Sequence, residues 1–256
     1  MPRPTLDPNQ YGAPPAGRRA AAANHPRPPR RALSLPLIVD TTLRVVDAEG
    51  VDAVTMRRVA EELGTGAASL YAHVADKDEL LAAVYDRVFA DIDVTVSPHP
   101  ERWAEQIKDF ARRQRAALAA HRDLARVGLG SIPTGPNALR AMEAMLSVMD
   151  AGGIAPQKIS FTGDLLAQFV NASVYEDSLF QSRFDRNRSF HEWTQQMQDV
   201  IASLPADRFP TIHRLAPALF DPGEGENERF EFGLEVIIQG LAATMAKPRP
   251  ARRNRS

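Results

Sequence analysis

Gly64 limits how this chain can fold more than any other residue, because two short segments with helical apolar spacing meet at it. Upstream, Thr55 stands where an N-cap belongs, and Val59, Ala60 and Leu63 recur at the three-to-four-residue step of one buried helix face. Gly64 follows the last apolar residue, where a left-handed residue closes a helix at little cost, and Thr65 begins a tight connection. Downstream, from Ala67 to Val74, Leu70 and Val74 lie one turn apart, while Ala67, Ala68, Ser69, Tyr71 and His73 cover the remaining surface. A short helix, a glycine turn and a second short helix that starts with small residues make a helix-turn-helix, whose second helix can lie in a DNA groove.

The flanking residues extend the pattern. PLIVDTTLRVVDAEGVDAVT precedes MRRVAEELG as an opening helix, and SLYAHVADKDELL follows, with Lys77 starting a fourth helix and Leu80 and Leu81 paired inside it. These linked pieces resemble the DNA-binding domain of the TetR family of transcriptional regulators. Further on, MDAGGIAPQKISFTGDLLAQFVNASVYE and RFEFGLEVIIQGLAATM resemble the ligand-binding half of the branch that includes the tetracycline repressor. The two resemblances span most of residues 33–246.

The resemblance implies roles at matching positions. Thr55, Tyr71 and Lys77 would touch backbone phosphates, and Arg57, Ala67, Ala68 and Ser69 would face base edges. His73 is open between a phosphate contact and a place packed against the fourth helix. Tyr71 by itself reads as a core aromatic with its hydroxyl at the rim; within SLYAHV and ahead of Lys77 it is expected on DNA. Members of the family usually place polar residues early in the recognition helix, where this chain has Gly66, Ala67 and Ala68. An alanine can offer only a methyl contact to thymine, so direct reading would rest on a bidentate fork from Arg57 to guanine. Arg57 and Arg58 are adjacent, point about 100 degrees apart on a helix, and only one of them is expected to reach DNA.

Charge sets a condition on this reading. Residues 33–80 carry Arg44, Arg57, Arg58 and Lys77 against nine carboxylates, a net of minus five, so the acids must face away from a phosphate surface. Residues 1–32 carry the opposite balance, six arginines against Asp7, with eight prolines. That composition predicts a disordered basic arm. Its end, with Arg27, Arg30 and Arg31, is placed to follow the backbone or enter a flanking minor groove, whereas Met1 to Asn24 reads equally as a segment without a role. A second basic tail is expected at 247–256. Nothing in the first stretch is the apolar run of a signal peptide.

Composition excludes several classes. The 256 residues include no cysteine, which removes disulfides, thiolate metal sites and thiol redox sensing. No window approaches the roughly 18 uninterrupted apolar residues of a membrane span, so a cytoplasmic protein is expected. The six histidines form no i, i+4 pair around a glutamate, and there is no GxSxG elbow, P-loop or dinucleotide glycine fingerprint. An enzyme is not expected, nor is a cofactor, nor a metal. The abundance of arginine over lysine suggests a GC-rich bacterial genome.

Beyond the head, at 81–246, the chain reads as helices throughout, and no alternating strand pattern appears, so the expected fold is all-α: a three-helix head and a larger helical body for effector binding and dimerisation. Leu80, Leu81, Val84, Val88 and Ile92 mark the buried stripe of the fourth helix, and Leu139, Met142, Met145, Leu146 and Met149 that of a helix from Asn137 to Ala151. The segments Gln157 to Ser178 and Asn227 to Ala246 are apolar over more than one face, which a single body would not cover. A second copy is the expected partner, through an isologous interface, and the homodimer would place two recognition helices on a near-palindromic operator. Inward arcs offer Phe110, Gln114, His121, Met142, Met145, Phe161, Gln168, Phe169, Asn171, Tyr175 and Trp193 as candidates for a small apolar effector, each of them also an ordinary core residue. The expected function is a ligand-responsive regulator, a repressor released from its operator by the effector. The alternative is an all-α ligand-binding or interaction protein whose alanine-rich helix does not read DNA.

Overall fold

Ser34 starts the first helix: its backbone is extended and its hydroxyl accepts from Leu37 N at 3.5 Å. The structure is a computed structural model and describes residues 33–130, 134–187, 190–219 and 227–245, with side chains described outside 182–191. Arg30, Arg31, both basic ends and the expected break at Ile132 and Pro133 lie outside the described residues. Among those described there are eleven α-helices and no strand.

Helix α1 (Leu35–Glu49) buries Ile38, Val39, Val45 and Val46 on one face, and the buried Thr42 hydroxyl is satisfied by donating to Ile38 O at 2.8 Å. Gly50 ends it at φ 90, and a single 3-10 turn, Val51–Ala53, follows. Helix α2 (Met56–Glu62) begins as expected, with the Thr55 hydroxyl accepting from Arg58 N at 3.0 Å. It closes on Gly64 at φ 64, with Thr65 N donating to Ala60 O and Gly64 N to Glu61 O. That pair of bonds is a Schellman motif, and the left-handed residue it needs is what selects glycine here.

Helix α3 (Ala67–Leu70) is shorter than the Ala67 to Val74 expected from spacing. Its regular part covers one turn, and the chain then continues in tight turns, with His73 N donating to Leu70 O. Directly after Val74, Asp76 caps helix α4 (Lys77–Phe89) by accepting from Glu79 N at 2.8 Å, while Glu79 reaches back to Ala75 N. Leu70 and Val74 are buried as the spacing required, together with Val59, Ala60, Leu80, Leu81 and Val84.

Helix α4 packs on α1 with one side and meets the body with the other. The body comprises α5 (Trp103–Ala119), α6 (Ala125–Gly128), α7 (Pro136–Ala151), α8 (Pro156–Asn187), α9 (Phe190–Ala202), α10 (Pro210–Leu219) and α11 (Glu228–Met245). Helices α5, α6, α7 and α11 surround α8, with Ile107, Leu118, Leu124, Met149, Val170, Leu234 and Ile238 in the shared core. Helices α9 and α10 pair with each other, and α10 buries no residue fully.

Two segments differ from expectation. Helix α7 turns Ala138, Ala141, Val148 and Met149 inward, with Met142, Met145 and Leu146 half-buried, and leaves Leu139 exposed. The cause lies at its N-terminus: the Asp86 carboxylate of α4 accepts from Asn137 N and Ala138 N at 3.0 and 2.9 Å, which fixes the phase of the helix. A Cβ at Gly135 would overlap Asp86, so the approach requires glycine. Helix α8 runs on past Ser178 to Asn187, because 179–187 contain neither glycine nor proline even though their apolar spacing has ended. Among the described residues no helix is long and apolar enough to cross a membrane.

Candidate functional site

The outer surface of the head carries the residues expected to meet DNA. Arg57 projects into solvent, its side chain 87% exposed, and is held only by an i, i+4 bond from Nε to Glu61 at 2.8 Å. Arg58 instead bonds Glu49 of α1 and Glu62 of α2, so of the two adjacent arginines one ties the head together and the other is free to reach outward. Those carboxylates push the Arg58 guanidinium further up in pKa, chiefly through the hydrogen bond to Glu49. Tyr71 is 54% exposed, and Ala68 and Ser69 stand open beside it. Ser69 accepts from the Thr65 hydroxyl at 3.3 Å, and Gly66 has open space where a Cβ would be. Ala67 and His73 are half-buried. Thr55 spends its lone pairs on the cap, which leaves its hydroxyl proton for an acceptor outside the protein. Lys77 turns its ammonium to Val51 O at 3.4 Å, beside Asp52 rather than Arg57.

The charge condition is met in part, on the side of the head that faces α4 and α6. Asp47 accepts from His121 Nδ1 at 2.9 Å, Asp123 accepts from Val51 N at 3.0 Å, and Asp52 pairs with Arg126. The Arg126 hydrogen bond holds the Asp52 carboxyl below its usual range. Asp40 pairs with Arg87 of α4. Three of the head's acids, Asp40, Asp47 and Asp52, thus turn toward α4, α6 and the residues just before α6, whereas Glu61 stays beside Arg57 and Glu49 and Glu62 hold Arg58. Gly50 and Asp123 fit this seam closely: a Cβ at Gly50 would lie 3.3 Å from Asp123 Oδ2, and Asp123 itself adopts φ 43.

Among the described residues, two hollows of the body lie near the expected effector contacts. The first, little larger than a water molecule, lies between α5, α7 and the chain after α4, and is lined by Val94, Val96, Gln106, Ile107, Phe110, Arg113, Ala144, Met145 and Val148. The second is a cleft of about 270 Å³ over the stacked rings of Phe169 and Phe230, whose centroids are 5.2 Å apart. Its rim carries Arg115, bonded to Asp177 and Asn227, and Arg229, bonded to Glu176.

The expected effector contacts are only partly brought together. Phe110 and Met145 share the first hollow, Phe169 lines the second, Met142 is half-buried on α7, and Gln114 is buried on α5 with 7% exposure. Asn171 is committed to Tyr85 Oη at 2.9 Å and to Ala167 O, and Tyr175 bonds Arg126. Four candidates lie elsewhere. His121 belongs to the seam with the head, Phe161 is 66% exposed, Gln168 is exposed and bonds Asp164, and Trp193 sits edge-on to Phe180 at 6.1 Å. Helical spacing identifies an apolar arc but not the element it faces, and on α8 one arc faces α5 while the other faces away from the fold. Arg113 and Arg115 were missed; the only sequence signal for them is the arginine cluster RRQR on an otherwise amphipathic helix.

A helix-turn-helix head that presents Arg57 and Tyr71 to solvent, mounted on an all-helical body with a small hollow and an open cleft, defines a one-component DNA-binding regulator. Comparison with known proteins places it further. Residues 38–84 match the family described as bacterial regulatory proteins, tetR family, and residues 97–245 match the tetracyclin repressor-like C-terminal domain. The chain belongs to the TetR family. It is 30% identical to the HTH-type transcriptional repressor DrrR1 of Streptomyces coeruleorubidus over 87% of this chain and 82% of that one, and 30% identical to the tetracycline repressor protein class E of Escherichia coli over 83% and 92%. Among solved structures, ActR of Streptomyces coelicolor in complex with actinorhodin superposes with a TM-score of 0.74 at 42% identity, covering 84% of this chain and 97% of that one. ActR has also been solved with (S)-DNPA, at a TM-score of 0.72 and the same identity, covering 83% and 98%. TetR-family regulators are non-enzymatic transcription factors that bind DNA operators and small-molecule effectors and dimerise, and this chain is a ligand-responsive DNA-binding repressor.

Proposed function

We propose that two copies of the chain hold a near-palindromic operator through a head at 33–80 and release it when a small, largely apolar effector enters the body at 81–246. The observation that carries this reading is the outer face of the head, where Arg57 and Tyr71 stand exposed while Asp40, Asp47 and Asp52 are engaged with Arg87, His121 and Arg126. Thr55, Tyr71, His73 and Lys77 contact phosphates, Arg57 reads a guanine in each half-site, and Ala67, Ala68 and Ser69 let the helix approach base edges. Arg30 and Arg31, ahead of α1, add backbone contacts to the flanking duplex.

The dimer forms through 157–178 and 227–246. In support, Phe161 and Leu165 of α8 and Phe232 and Val236 of α11 are 66, 49, 71 and 54% exposed, and Gly240 continues the α11 stripe with open space over it. Large apolar side chains at this spacing on two adjacent helices make a face suited to a second copy of itself. The effector is held around Phe110, Gln114, Met142, Met145 and Phe169, a reading supported by the small molecules in the ActR complexes. By population shift it favours a spacing of the two heads that misses successive major grooves.

Selection of bound duplexes from a random pool by the full chain tests this. A near-palindrome is expected, lost with Tyr71→Ala and Arg57→Ala; no enrichment at low salt would overturn the reading.

A further inference from the structure

Arg113 is without a partner among the described residues. Its Nε is fully buried without a hydrogen bond, and the side chain makes no salt bridge with any described residue. Arg115 Nε is buried and unbonded in the same way, but the other two nitrogens of Arg115 bond Asn227 and Asp177, and Arg112 pairs with Glu231 and Asp109. Asp93 is near enough to feel the Arg113 charge, but its carboxylate is engaged with Thr95 N at 2.9 Å.

The surroundings sharpen the point. Arg113 lines the first hollow, where the other walls are Val94, Val96, Ile107, Phe110, Met145 and their apolar neighbours. The remaining polar group there, Gln106, is already spent: its Nε2 donates to Ser97 O at 2.8 Å and its Oε1 accepts from His99 N at 3.0 Å. An Nε–H buried without an acceptor is unfavourable, and replacing the side chain by an apolar one would relieve that cost. Such an arrangement makes sense where the missing partner is a ligand group.

We propose that the effector bears a carboxylate on its apolar, ring-bearing skeleton and that Arg113 receives it. This rests on the regulator reading and names the chemical class of ligand for that site. Arginine suits the task because its planar fork gives a carboxylate two parallel hydrogen bonds, and Nε is one of the two donors on the side-on edge. The rings lie against Phe110, Ile107 and Val148, and the flexible Met145 moves aside to enlarge a hollow that now holds little more than one water.

The test uses the full-length protein and three probe pairs, benzoate, 2-naphthoate and anthracene-2-carboxylate, each beside its primary amide, which keeps the shape and removes the charge. Calorimetry should show at least one acid binding about tenfold or more tighter than its amide. Arg113→Met should erase the preference while leaving amide binding in place, and Arg113→Lys should keep part of it. In the absence of probe, Arg113→Met should melt at the same temperature as the unaltered protein or higher. Equal binding of acid and amide, a preference that survives Arg113→Met, no binding by any acid at millimolar concentration, or a lower melting temperature for the free variant would each overturn the proposal. Operator binding by the unliganded dimer is measured separately. Its absence would defeat the regulator reading and leave the comparison of acid with amide standing.

Discussion

The Tyr85 hydroxyl is sealed between α4 and α8 with the residue only 3% exposed, and it donates to Asn171 Oδ1 at 2.9 Å. Burial pushes its pKa up to about 12, against the smaller opposing pull of the Asn171 bond. Because the folded value lies above the ordinary value of 10.0, the stability it represents is fully present below pH 10 and is lost as pH rises toward 12, to the extent of roughly 2–3 kcal/mol. Tyr85→Phe should therefore flatten that part of the profile, read by denaturant unfolding at stepped alkaline pH. At neutral pH the same variant should lose about 1–3 kcal/mol, since Asn171 keeps a buried acceptor with no donor; an unchanged midpoint would show the bond to be dispensable. On the head, two neighbouring arginines should separate by assay. Arg57→Ala should weaken operator binding about ten- to hundredfold and relax the choice of one base in each half-site. Arg58→Ala, which cuts α2 from Glu49 of α1, should lower the melting temperature of the head. Equal effects of both on DNA affinity would contradict this division of labour.

Helix α6 is a single turn, yet it links three parts of the molecule. Arg126 bonds Asp52 of the head and Tyr175 of α8, and Gly128 lies against the Tyr85 and Asn171 side chains. A Cβ at Gly128 would fall on the Tyr85 hydroxyl and 2.6 Å from Asn171 Oδ1, and both groups are buried. Gly128→Ala should cost about 1–3 kcal/mol through overpacking and lower the melting temperature. The same substitution at Gly130, which has open space, should be close to neutral. Such contacts were beyond the reach of sequence. The spacing around Gly64 showed α2, its Schellman close and the inward Leu70 and Val74, because each depends on residues within one or two turns. The α6 contacts join positions far apart in the chain, and nothing periodic marks them. Asp86 is a clear case: it looks like an ordinary surface acid on α4, and its role as the cap of α7 decides that Ala138 faces inward and Leu139 does not.

At the scale of the whole molecule, the arcs that spacing marks as apolar divide into those the chain covers itself and those it leaves bare. On α11, Phe230, Leu234, Ile238 and Leu241 are buried within the fold, while Phe232 and Val236 project outward. On α8, Leu166, Val170 and Val174 are buried, while Phe161 and Leu165 project outward. That is why Phe161, expected in the effector cavity, lies on the outside, and why the cavity was less legible than the head: spacing cannot tell an arc meant for another copy from one meant for the core. Salt bridges that reinforce the α5–α11 contact, from Lys108 to Glu235 and from Arg112 to Glu231, lie about 100 degrees around α11 from Phe232 and Val236 and form within one copy of the chain. Phe232→Glu and Phe161→Glu should therefore leave helix content and the buried core intact but place a carboxylate in each copy close to its symmetry mate across the two-fold. Sedimentation should then show monomers where the unaltered chain sediments as a dimer. Because a single head gains the affinity of only one half-site, binding to the full near-palindrome should fall toward that of a half-site duplex. Dimers that persist in the double variant would move the interface off α8 and α11. A loss of helix signal would not be read as dissociation, and Val236→Gln, a milder change on the same face, would then decide the question by shifting the dimer dissociation constant with the fold retained.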